Sequence, residues 1–84
     1  MSNKVLVTLY VPNLDVKYDM YIPVNKRIHL IVDLIKKALY DLSGGTFKIS
    51  EEYELYNYEN GELYNMNDLV RNTDIRNNSK IVII

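Results

Sequence analysis

The chain has no cysteine, and only one histidine, three glycines and two prolines in 84 residues. Without thiols, neither a disulfide framework nor a thiolate metal site can reinforce it, so its stability must come from packing. Positive charge is not in excess either. Ten Lys and Arg stand against eleven Asp and Glu, for a net charge of −1. Proteins that track nucleic-acid phosphates carry a basic stripe, so nucleic acid is set aside as a partner. No apolar run approaches the ~18 residues of a membrane span, and direct membrane insertion is not expected. The apolar segment at 5–11 is too short and too strand-like for a signal peptide, and no small-residue cleavage site follows it. A cytoplasmic location is the expectation, and the absence of cysteine agrees with it. There is no internal repeat, linker or low-complexity stretch. One domain over residues 1–84 is expected, near the size at which a lone core becomes marginal.

The strongest periodic signal lies at 27–42, RIHLIVDLIKKALYDL. At 100° per residue Ile28, Ile31, Val32, Ile35, Ala38, Leu39 and Leu42 fall on one face, with His29, Asp33, Lys36, Lys37 and Tyr40 on the other. This is an amphipathic helix. Asn25 is its expected N-cap, and Ser43-Gly44-Gly45 its stop.

The flanking segments alternate with period two. Val5, Val7 and Leu9 oppose Leu6, Thr8 and Tyr10, up to Pro12-Asn13. Tyr18, Met20 and Ile22 oppose Lys17, Asp19 and Tyr21, up to Pro23. The residues between them, 12–16, suit a hairpin loop. A polar connector after Gly45 leads to a short strand at 53–57. Tyr58-Glu59-Asn60-Gly61 reads as a tight turn and 62–64 as a brief returning strand. Asn65 or Asn67 is expected to cap a short turn that contains Leu69 and Val70. The last run, 80–84, is almost wholly aliphatic, which places it in the middle of a sheet beside the first strand and parallel to it. The order β-β-α-β-β-β then describes an α+β fold: a mixed five-stranded sheet with one helix packed across it and a right-handed crossover, a β-grasp.

Particular residues carry a family resemblance. The second half runs from Leu55 through Tyr58-Glu59-Asn60-Gly61-Glu62-Leu63 to Asp68-Leu69, Asp74-Ile75 and Ser79-Lys80-Ile81-Val82-Ile83. It resembles the second half of ubiquitin in order and spacing. In the first half, Tyr18-Asp19-Met20-Tyr21-Ile22-Pro23 is followed five residues after the proline by Ile28-His29-Leu30-Ile31. That pattern resembles the YukD/EsaB family, small ubiquitin-like proteins of type VII (ESX-like) secretion systems in Gram-positive bacteria. The resemblance spans nearly the whole chain, with looser spacing at 43–52 and after Leu69.

The resemblance implies a ubiquitin-like fold and a non-enzymatic accessory or regulatory role, exercised by non-covalent docking. In related systems the same domain is fused to a membrane protein of the secretion channel. The implied partner is therefore a cytosolic part of a membrane secretion ATPase or a channel subunit, and the implied location cytoplasmic, or peripheral to the membrane through that partner. Ubiquitin's conjugation requires a flexible Gly-Gly tail. Here the last strand ends the sequence at Ile84 and Gly44, Gly45 and Gly61 lie far from it, so covalent tagging is not expected. A modifier or sulfur carrier would require a truncated sequence. A free-standing adaptor unrelated to secretion would share these features.

Candidate sites are few. His29 lacks evident metal or catalytic partners and reads as a surface histidine. Glu51, Glu52 and Glu54 lack a nucleophile or phosphate cradle and read as solvated acids, so no catalytic residue, metal or cofactor is assigned. Asn77-Asn78-Ser79 matches a glycosylation acceptor, without meaning in the absence of a secretory signal. If Leu55, Ile81 and Ile83 face the helix, then Tyr56, Val82 and Ile84 face the other way, where ubiquitin meets its partners. They form either a binding surface or ordinary β-residues partly shielded by Tyr10. Among eight tyrosines, Tyr10, Tyr21, Tyr56 and Tyr58 are expected on that exposed face, and Tyr18 and Tyr53 in or near the core. Leu30 and Leu34 widen the helix's apolar stripe at i, i+4 spacing. They either contact a partner or a second copy of the chain, or pack under the 43–52 loop.

Overall fold

Alternation in the first two apolar runs produces a hairpin in the computed structural model, which describes residues 3–84. Strands β1 (Lys4–Val11) and β2 (Val16–Pro23) pair antiparallel from Lys4↔Pro23 to Val11↔Val16. A 3-10 turn, Pro12–Leu14, joins them. Pro12 presets the φ of that turn, and Asp15 closes it at φ 52°, a left-handed conformation that Asp tolerates better than most side chains.

Helix α1 (Ile28–Leu42) follows. Its N-cap is Arg27, in extended conformation and without a side-chain cap, in place of the expected Asn25. The first N–H groups are satisfied from far along the chain. Ile28 N–H donates to the Asp68 carbonyl at 2.9 Å and His29 N–H to the Met66 carbonyl at 3.0 Å. The Arg27 guanidinium donates to the Asn67 carbonyl in the same loop. The glycine stop is as expected, with Gly44 at φ 66°.

Ile28, Ile31, Val32, Ile35 and Leu39 are buried on the sheet, and Ala38 is half-buried. Leu42 departs from the expected core, at 58% exposed. Its azimuth on the helix is right, but it lies in the last turn, where nothing packs over it.

The remaining strands are β3 (Leu55–Asn57) and β4 (Ser79–Ile83), in sheet order β2-β1-β4-β3. β4 lies parallel to β1, from Val7↔Ser79 to Tyr10↔Val82, and antiparallel to β3, with Tyr56↔Val82. The sheet has four strands rather than five. The expected fifth, at 62–64, returns beside β3 but is reduced to a Tyr56↔Leu63 bridge, because the chain turns away at once. The Asn65 side chain accepts the Asn67 N–H at 2.8 Å, and that Asx turn feeds the loop that caps α1. A second 3-10 turn, Val70–Asn72, follows it. The connector before β3 is less polar in effect than expected. Phe47 is buried and stacks on buried Tyr53, with centroids 4.8 Å apart. Tyr18 packs at the edge of the core. No helix among the described residues is long and apolar enough to cross a membrane.

Tyr64 pins the segment after β3. Its ring is buried and its hydroxyl donates to Asp74 Oδ1 at 2.7 Å. Burial, then the hydrogen bond to Asp74 and its charge, push this phenol far above its ordinary value of 10.

Ile35→Ala, which empties a site under the helix, should cost about 2–5 kcal/mol in chemical unfolding. Leu42→Ala should stay within about 0.5 kcal/mol despite lying on the same helical stripe. Because the fold holds Tyr64 protonated, an unfolded chain ionises first as pH climbs past about 10. The stabilisation is complete below that pH and declines above it. Unfolding curves across about pH 8–11 should show the decline, and Tyr64→Phe should make it shallower. The buried phenol of Tyr53, raised by desolvation and by Glu51, acts in the same direction and leaves part of the decline in place.

Candidate functional site

Pairing places side chains on the sheet face away from α1 in rows. One row crosses the whole sheet: Lys17, Tyr10, Val82, Tyr56 and Leu63 are successive cross-strand neighbours. Opposed residues share a face, so these five project together. The alternation expected of β3 and β4 holds. Leu55, Ile81 and Ile83 are buried beneath the helix, while Tyr56 and Val82 are half-exposed.

The centre of this face is an aromatic stack. Tyr58 donates its backbone N–H to Lys80 on β4 at 3.0 Å. Its ring passes over that strand to lie on Tyr10 of β1, with centroids 4.0 Å apart and planes at 14°. The Lys17 ammonium stands 6.0 Å from the Tyr10 centroid. Tyr10, Tyr58 and Val82 border a shallow groove of about 480 Å³ with Pro12, Val16 and Lys17. Beside it the Tyr56 hydroxyl donates to Glu54 Oε2 at 3.0 Å. That hydrogen bond, with some desolvation and the carboxylate's charge, raises the Tyr56 phenol above its ordinary value. The face is thus apolar and aromatic with polar margins, and its rings are held by one another.

The structure brings Tyr56 and Val82 together, but not Ile84 with the stack. Ile84 lies one residue past β4, paired through its backbone with Glu54, and borders a different groove of about 490 Å³ with His29, Val32 and Lys36 of the helix. Tyr10 and Tyr58 do meet on the exposed face, whereas Tyr21 pairs with Leu6 farther along the hairpin. Leu63 extends the row at 55% exposed. A lone leucine in a three-residue return carries too little pattern to announce itself.

The other candidates separate. His29 shares its groove with Asp33, Glu52 and Glu54, yet among the described residues no group of three or more His, Asp or Glu is placed to hold a metal. Asn77 does structural work: its side-chain oxygen accepts the Leu6 N–H at 2.9 Å, where β4 comes alongside β1. Leu30 and Leu34 remain exposed at 42% and 52%. The 43–52 loop sends Ile49 to the groove beside them but does not cover them.

No protein-family model matches the chain, and no curated protein does. Solved structures do match. The ubiquitin-like domain of EccD1, a type VII secretion system protein of Mycobacterium tuberculosis, superimposes with TM-score 0.75 at 11% identity, over 100% of this chain and 99% of that chain. The ubiquitin-like domain of EccD5 from Mycobacterium xenopi gives TM-score 0.79 at 11% identity, over 99% and 94%. A chain of the MycP5-free ESX-5 inner membrane complex gives 0.80 at 12% identity, over 99% of this chain but only 21% of that one. At such identities the likeness is one of fold. The chain is a ubiquitin-like β-grasp, with one helix on a mixed four-stranded sheet, and its fold resembles that of ubiquitin-like domains in type VII secretion proteins.

Proposed function

We propose that the chain is a non-enzymatic, ubiquitin-like accessory or regulatory component of a bacterial type VII secretion system. It acts by non-covalent docking of its outer sheet face, centred on Tyr10, Tyr58, Val82 and Tyr56, onto a cytosolic part of the membrane secretion ATPase or a channel subunit. The observation that carries this reading is the likeness in fold, over essentially the whole chain, to ubiquitin-like domains of type VII secretion proteins. A chain of an inner membrane complex contains a region of the same fold. The chemistry of the face supports it. Rings already stacked on one another lose little conformational freedom on binding, and so make efficient contact anchors. On this reading the protein is cytoplasmic and reaches the membrane only through its partner.

The test is native purification from the protein's own cells, with the eluate resolved before and after denaturation. A secretion ATPase or channel subunit should co-purify and separate completely on denaturation. Tyr56→Ala combined with Val82→Lys should reduce that recovery by about tenfold or more, since both side chains lie at the centre of the contact. Thermal unfolding of the variant reports whether the fold survives. Undiminished recovery with a folded variant rules out this face, and a ladder of heavier species surviving denaturation rules out non-covalent action.

A further inference from the structure

The helix presents a second surface with a different character. Leu30 and Leu34, one turn apart, are 42% and 52% exposed, and Ile49 in the connection after α1 is 37% exposed. All three border one groove of about 550 Å³, rimmed by Lys26, Lys36 and Lys37 and a single carboxylate, Asp33. The rim is therefore positive in a chain whose net charge is −1. Lys48 pairs with Glu51, and among the described residues no ion pair neutralises Lys26, Lys36 or Lys37. Lys36 borders the neighbouring groove as well, where its ammonium stands 5.8 Å from the centroid of the Tyr53 ring, so Lys26 and Lys37 are the cations that belong to this groove alone.

These features select an occupant. An apolar floor with a basic rim calls for apolar side chains flanked by carboxylates. Backbone chemistry then selects its conformation. The groove's walls are a helix, the residue leading into it and a loop. The open edge of the sheet, β2, borders a separate groove of about 150 Å³ that meets this one only at Leu34. An extended segment lying along α1 would find no ladder for its N–H and C=O groups. A helical segment satisfies its own and can pack its side chains against the turn between Leu30 and Leu34. A second copy of this chain is a poor occupant, because two-fold pairing would set the lysines against themselves.

We propose that the groove between α1 and Ile49 receives an acidic amphipathic helix of a partner protein. Its leucine-like side chains, spaced i, i+3/i+4 and i+7, would fill the groove, and its Asp or Glu flanks would meet Lys26, Lys36 and Lys37. This site is separate from the sheet face, so one molecule could hold two partners at once.

The experiment uses two helical peptides of about 18 residues, long enough to populate helix in isolation. Both carry the same leucine pattern, one with Glu flanks and the other with Lys flanks. Each is titrated into the 15N-labelled protein at low salt. The Glu peptide should bind saturably, about tenfold or more tighter than the Lys peptide, with shifts centred on Leu30, Leu34, Lys37 and Ile49. Added salt should weaken it. Leu34→Glu and, separately, Lys37→Glu should each weaken binding several-fold with an unchanged melting temperature. If Leu34→Glu fails to fold, Lys37→Glu alone decides. Equal affinity for both peptides, or no saturable binding of the Glu peptide, overturns the proposal. Shifts gathered on Tyr21 and Ile22 would mean strand addition at β2 and also overturn it. A sedimenting dimer abolished by Leu34→Glu would assign the groove to a second copy instead.

Discussion

The parallel pairing of β1 with β4 is the constraint on which the rest of the structure depends. It joins the first strand of the chain to its last, so every intervening element must close a loop around it, at an entropic cost that burial has to offset. The offset is visible in the residues that meet there. Val7 and Leu9 from β1 and Ile81 and Ile83 from β4 are all buried, under Ile31, Ile35 and Leu39 of the helix. The hydrogen bonds that Leu6 makes with Asn77 and Asn78 set the register at one end. With the centre thus occupied, β2 and β3 can only be edges, and α1 can only cross.

The same pairing builds the outer face. β1 and β4 are adjacent and in register, so Tyr10 lies beside Val82, and β3 adds Tyr56 on the other side. Tyr58 then needs only to reach across one strand to stack on Tyr10. Sheet geometry therefore converts four scattered residues into one apolar, aromatic surface. The helix's opposite face escapes this consolidation. It keeps two leucines and two lysines around a groove that the rest of the chain only edges, with Lys26 ahead of the helix and Ile49 of the loop after it.

Much of the architecture was legible because it rests on local periodicity. The period-two runs at 5–11 and 17–23 became the hairpin, and the 3.6-residue stripe became α1 with Ile28, Ile31, Val32, Ile35 and Leu39 inward. The aliphatic run 80–84 supplied the central strand beside β1. Tyr56 and Val82 were legible as outward neighbours for the same reason, since alternation assigns a face. Leu42 and Ile84 show the limit of that reasoning. Periodicity gives a direction around an axis or across a sheet, but not whether anything lies above the residue at that height.

What the sequence determined by itself was the hairpin, the helix and the two strands at 55–57 and 79–83, their order and which side of each is apolar, because these follow from side-chain spacing within a few residues. Tertiary structure alone decided the rest. The helix start is capped by Asp68 and Met66 carbonyls rather than by Asn25. The returning segment at 62–64 forms a bridge rather than a strand. Tyr58 spans β4 to reach Tyr10, and Ile84 joins the helix-side groove instead of that stack. Each of these depends on partners distant in the chain, and hydrogen-bond satisfaction and ring contact are settled only when packing sets those partners' distance and angle.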